Sequence, residues 1–300
     1  GTETGKSASP RRLCRGQVRR MYLELEEVNG LPVPELMKFP FEPGRFMYRE
    51  AERMAELMRA KLGLGPMLPA TQLRELLEER LAIKTFVLRS SSKLSGACIY
   101  HERVGGCVLV IAKTIPHMLY TLAHELGHLL VHRDTPIVDE ELWAKTPKEQ
   151  FANAFAASLL MPRAGVQELF SSIYHSRATF TDVDVIHMSR NYGVSFRAML
   201  YRLQSLRLIA PGMAEKLLGE YGKTETGPTK RAEEAGLGVE KHTFWRPLPE
   251  RYVFLALRAY RNEDLSIGRL AEMLCDVYGK RRSIEAAQKF VDDYQAVPDG

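Results

Sequence analysis

The sequence predicts an α+β fold: a small sheet packed beside one metal-carrying helix, followed by further helical units. Three observations predict it. Residues 124–128 read His-Glu-Leu-Gly-His inside an otherwise apolar helical run. Short strand-like stretches at 83–88, 96–100 and 107–111 precede that run, the last two joined by a turn-rich segment at 101–106. From Thr146 onward the apolar residues recur at helical spacing.

The chain begins with a basic stretch. Residues 1–20 carry Lys6, Arg11, Arg12, Arg15, Arg19 and Arg20 against Glu3, which accounts for the whole net charge of +5. Such a tail can bind nucleic acid or an acidic partner, or it can be a solvated, disordered arm. It lacks the apolar segment of a signal peptide, and Lys113 and Pro116 break the best apolar run before it reaches a membrane span. Cys14, Cys98, Cys107 and Cys275 form no Cys-x-x-Cys pair and read as thiols of a reducing compartment. The expectation is a cytoplasmic protein with no membrane partner. At 45% hydrophobic and 26% charged residues, it is an ordinary globular chain with room for two or three domains.

Residues 49–63 have helical periodicity, and 70–80 read as a short helix with Thr71 as its cap. The strands follow, then the helix from Met118 to His132. There Leu119, Leu122, Leu126, Leu129 and Leu130 share one side, while Thr121, His124, Glu125, His128 and His132 share the other. Two histidines four apart lie one turn apart and can reach one metal ion. Glu125 projects beside them, placed to take a proton from water at the metal. The pattern is the HExxH signature of zinc peptidases.

A second punctuated helix runs from Thr146 to Pro162. Thr146 suits the N-cap, Pro147 the first turn and Pro162 the stop. Glu149, Ala152, Asn153 and Ala156 share a face whose small residues allow a close helix contact. Zinc hydrolases use two histidines and a glutamate among their ligand sets, so Glu149 is a candidate third ligand. Thr146-x-x-Glu149 is equally a capping box, in which the glutamate bonds back to the N-cap amide. His132 is a weaker candidate, because three ligands on consecutive turns of one helix converge poorly on a tetrahedral ion. The acidic run Asp139, Glu140 and Glu141 reads as a solvated loop.

TLAHELGHLLVH followed by EQFANAFAASLLMP resembles the ImmA/IrrE family of zinc metallopeptidases. The resemblance extends upstream through AERMAELMRAKLGLG and downstream to about residue 210, roughly half the chain. It implies a zincin-like peptidase that binds Zn²⁺ through His124, His128 and Glu149, with Glu125 as the catalytic base. It also implies a helix-turn-helix repressor as substrate, cut in response to a stress or DNA-damage signal.

The remaining segments divide accordingly: 1–45 tail and lead-in, 46–165 zincin-like domain, 166–218 helix-turn-helix-like unit, 219–243 linker, and 244–300 a small C-terminal helical domain. In the bihelical unit, Asp182–Asn191 and Ser195–Leu206 flank a turn at Gly193, with Ser195 capping the second helix. Arg197 and Arg202 are its candidate DNA contacts, although Met199, Leu200, Leu203 and Leu206 favour packing on the peptidase. Single-stranded DNA is a candidate activator. Cys98, on the strand before the active helix, is a candidate inhibitory fourth zinc ligand, against the commoner fate of a small buried hydrophobe. The rival function is a DNA- or partner-binding regulator that uses a zincin scaffold without proteolysis.

Overall fold

The computed structural model describes residues 17–32, 35–40, 44, 47–88, 95–111, 113–133, 137–139, 146–177, 179–221, 226–237, 248–275 and 284–295. Helices α1 (Gln17–Val28), α2 (Met47–Lys61) and α3 (Leu73–Leu81) precede strands β1 (Lys84–Leu88), β2 (Gly96–His101) and β3 (Gly105–Ile111). Then come α4 (Ile115–Val131), β4 (Ile137–Asp139) and α5 (Pro147–Leu160). The rest is helical: α6 (Arg163–Arg177), α7 (Asp182–Tyr192), α8 (Phe196–Ser205), α9 (Met213–Tyr221), α10 (Thr226–Glu234), α11 (Glu250–Arg261), α12 (Ile267–Cys275) and α13 (Ile284–Gln295). The α+β class and the HExxH helix stand as expected.

The strands lie in the order β1-β3-β2-β4. β1 runs parallel to β3, while β2 is antiparallel to both β3 and β4. All seven residues of β3 are buried because both faces of the sheet are covered. Strand alternation sorts them. Cys98, Val108 and Val110 join the core under α4, whereas Ala97, Leu109 and Ile111 join a second core behind the sheet.

That second core changes the reading of both chain ends. Met21, Tyr22 and Leu25 of α1 and Tyr252, Leu255 and Ala256 of α11 pack there. Part of the expected tail and lead-in is therefore a core helix, while residues 1–16 lie outside the described residues. Glu26 ties the layers together: Lys84 of β1 lies 2.9 Å from it and Arg251 of α11 lies 2.6 Å away. Lys84 is fully buried and also donates to the Val104 carbonyl at 2.6 Å, so its charge is paired rather than stranded.

Several local expectations shift. Gln72, not Thr71, stands at the N-cap of α3, without a side-chain bond. Asp139 of the supposed acidic loop ends β4, a strand too short to show a two-residue period. The supposed linker contains α10, whose Pro228 and Ala232 are buried. The bihelical unit has the expected geometry: Gly193 adopts φ 64°, and the Ser195 hydroxyl accepts from the Ala198 amide at 3.1 Å. Arg202, however, is buried. It donates to the Met161 carbonyl at 2.9 Å and pairs with Glu52 at 3.0 Å, so the DNA role assigned to it fails on access. Arg197 is half-buried, with its guanidinium 5.4 Å from the Tyr201 ring centre.

Candidate metal centre

The centre forms where α4 crosses α5. Gly127 permits the crossing, because a Cβ there would stand 3.1 Å from Phe155 Cδ1 and 3.4 Å from Ala152 Cα. The small residues of α5 thus serve the close contact their sequence suggested. The polar face of α4 is covered rather than open: His124, Glu125 and His128 are all fully buried.

Across this contact His124 Nε2 lies 3.1 Å from Glu149 Oε2 and 3.1 Å from His128 Nε2. His128 Nε2 lies 3.3 Å from Glu149 Oε1. A tetrahedral zinc with bonds near 2.05 Å needs donor atoms about 3.3 Å apart, so the spacing fits. The Thr146 hydroxyl caps α5 by accepting from the Glu149 amide at 3.3 Å, while the Glu149 carboxylate turns to the histidines. One glutamate thus sits in a capped first turn and still faces the metal site.

Two further residues set the histidine tautomers. His124 Nδ1 donates to Asn153 Oδ1 at 3.1 Å, and Tyr120 Oη donates to the Asn153 carbonyl at 3.2 Å. With its proton on Nδ1, His124 presents a lone pair on Nε2. His128 Nδ1 lies 2.9 Å from His132 Nδ1. Burial pushes His132 down to about 3, with the positive charge of Lys148 acting in the same direction. It stays neutral and can accept the His128 proton, leaving the His128 Nε2 lone pair for the metal as well. Two imidazole nitrogens and a carboxylate that converge in a buried space suit a cation, and the donor set fits zinc.

Gly96 is a site residue that the sequence did not announce. A Cβ there would lie 2.2 Å from Glu125 Oε1 and 2.7 Å from Thr121 Cγ2. The bare backbone of β2 is therefore what makes room for the Glu125 carboxylate. A glycine at the start of a strand was the available signal. Cys98 occupies the same face of β2, about 6.8 Å further along it. It is buried in the core under α4 and is not among the residues whose ligand atoms gather within 4.8 Å, namely His124, His128 and Glu149.

Fold and site together define a zincin-type, zinc-dependent peptidase domain. The family profile described as Peptidase M78, IrrE N-terminal-like domain, matches residues 67–204, just under half of the chain, so those residues form an IrrE/ImmA-like domain. No curated protein matches the chain. A solved structure of a Mycobacterium tuberculosis transcriptional regulator is similar at 18% identity and a TM-score of 0.37, over 63% of this chain and 52% of that one. The chain thus spans about half the length of that structure, and a likeness at this level defines neither fold nor function. Among the described residues, no helix is long and apolar enough to cross a membrane.

Proposed function

We propose that the chain is an endopeptidase that cuts a helix-turn-helix repressor, with Glu125 as general base. The observation that carries the catalytic part is the full burial of Glu125 next to the His₂Glu centre, in a space that a glycine opens for it. His124, His128 and Glu149 would hold a zinc ion. Bound zinc supplies Lewis acidity and lowers the pKa of water toward neutrality. Glu125 takes the proton of the attacking water and delivers it to the leaving amine. Asn153 and His132 hold the two imidazoles in register.

Strand β4 supports a peptide substrate. It is at the edge of the sheet, and its Asp139 pairs with Gly96, the residue against Glu125. An extended segment can add to that edge, the sheet edge nearer to Gly96. The repressor as substrate is supported by the ImmA/IrrE-type domain. Single-stranded DNA as activating cue rests on the basic stretch 1–20, whose first sixteen residues lie outside the described ones. A purely DNA-binding role is not favoured, since Arg202 is buried.

The test is Glu125→Gln in zinc-loaded protein, incubated with helix-turn-helix repressors of the same genome. Zinc content should be unchanged and cleavage should fall by about 10²–10⁴-fold, the usual worth of a general base. Normal cleavage by the variant would remove Glu125 from the mechanism. A wild-type protein that cuts unfolded peptides but no repressor would remove the substrate assignment alone.

A further inference from the structure

Thr121 stands one turn before Glu125 on α4 and is fully buried. A β-branched residue inside a helix gives up rotamer freedom, and a buried hydroxyl needs a partner. Thr121 meets that need within its own helix. Its hydroxyl donates to the His117 carbonyl at 2.8 Å, which fixes the rotation of the side chain. The polar branch is thereby engaged by the backbone. The other branch, the Cγ2 methyl, faces β2 and lies 2.7 Å from the point where a Cβ of Gly96 would stand.

That same point is 2.2 Å from Glu125 Oε1 and 3.0 Å from Glu125 Cδ. The methyl and the carboxylate therefore pack side by side on one bare stretch of backbone. Residues four apart on a helix are neighbours, and helical side chains lean toward the N-terminus, so Glu125 leans over Thr121. The carboxylate is bounded in front by the backbone of β2 and on its N-terminal side by the Thr121 methyl. Its remaining direction is the one His124 and His128 share on the polar face of α4. Without the methyl, the carboxylate gains room to settle toward the N-terminus of α4 and away from the metal donors.

We propose that Thr121 is a positioning residue for Glu125: its methyl, held in place by the bond from its hydroxyl to His117, keeps the carboxylate turned toward the metal donors. This rests on the reading of Glu125 as general base. The hydroxyl itself takes no part beyond its own helix, so the shape of the side chain, rather than its polarity, is what positions the base. A residue with the same two branches and no hydroxyl should serve nearly as well.

The experiment compares zinc-loaded wild-type chain with Thr121→Ser, Thr121→Val and Glu125→Gln. One readout is kcat and KM for peptide cleavage. The other is calorimetric affinity for acetohydroxamate, a zinc-binding probe whose proton bonds to a carboxylate beside the metal. Thr121→Ser keeps the hydroxyl and loses the methyl. Its kcat should fall by about tenfold or more, with KM and zinc content unchanged, because a misplacement of about 1 Å at the reacting group costs up to about 10²-fold. Its affinity for acetohydroxamate should weaken in the same direction as that of Glu125→Gln. Thr121→Val keeps both branches and should recover most of both losses. A lower melting temperature in Thr121→Ser with kcat and probe affinity intact would mark simple packing and overturn the proposal, while weakened Glu125→Gln leaves the base in place. Equal losses in the serine and valine variants would also overturn it, since the hydroxyl would then matter. Wild-type cleavage and probe affinity in Glu125→Gln would sink the reading of the base and this proposal with it.

Discussion

Gly96→Ala tests the architecture of the centre without touching a metal donor. The new Cβ would stand 2.2 Å from Glu125 Oε1 and 3.0 Å from Glu125 Cδ. Comfortable contact needs about 3.5 Å, so the carboxylate oxygen must retreat by about 1.3 Å. Glu125 is fully buried, and Thr121 Cγ2, at 2.7 Å from the same point, blocks an easy sidestep. A displacement of that size at the reacting group costs about 10²-fold in rate. Overpacking should also lower stability by about 1–3 kcal/mol. The zinc donors lie across the α4–α5 contact and are untouched. The expected result is a folded protein with one zinc per chain, a modestly lower melting temperature and strongly reduced peptide cleavage. Metal analysis, thermal melting and a peptidase assay on one preparation would show this. Near-normal cleavage would refute the placement of Glu125 against β2, and loss of zinc would refute the separation of base from metal donors.

Glu149→Ala should strip zinc far more than His132→Ala, whose loss as a partner of His128 should weaken zinc by about 10–100-fold. Equal zinc affinities in the two variants would return Glu149 to a capping role. A pH effect is expected away from the centre. Burial pushes Glu78 up to about 7, despite Arg74 at 3.1 Å and the Thr85 hydroxyl. A raised carboxyl pKa means stability that is fully present below about pH 4.5 and lost as pH rises through about 7, on the order of 3 kcal/mol. Wild-type protein should therefore lose stability relative to Glu78→Gln between pH 5 and 8, as read by denaturant melts at each pH. Parallel profiles would refute it.

The metal centre was legible because its donors follow a helical period. His124 and His128 are one turn apart on one helix, and Glu149 sits at a marked helix start. Their supports were harder to see. Asn153 and Gly96 act through contacts between elements distant in sequence, 29 residues apart in the case of His124 and Asn153. The bihelical unit was legible by its glycine turn and serine cap. The function of its arginines was not, because the sequence shows the charge of Arg202 but not the carbonyl of Met161 that holds it. Helix α1 was misjudged because net charge dominated its reading, although Met21, Tyr22 and Leu25 fall on one helical face.

That helix bears on where a substrate can bind. A small sheet can accept a peptide only along an edge, since its faces are needed for packing. Here α4 covers one face, and α1 with α11 covers the other. The Glu26 bridge to Lys84 and Arg251 fixes the second cover to β1 itself. Of the two edges in the order β1-β3-β2-β4, β1 is two strands away from β2 and from the Gly96 that faces Glu125. β4 pairs directly with Gly96. Helices α1 and α11 therefore act on the sheet by covering its back face. Under the proposed function, covering the back of the sheet leaves the β4 edge, among the described residues, as the edge nearer to Gly96.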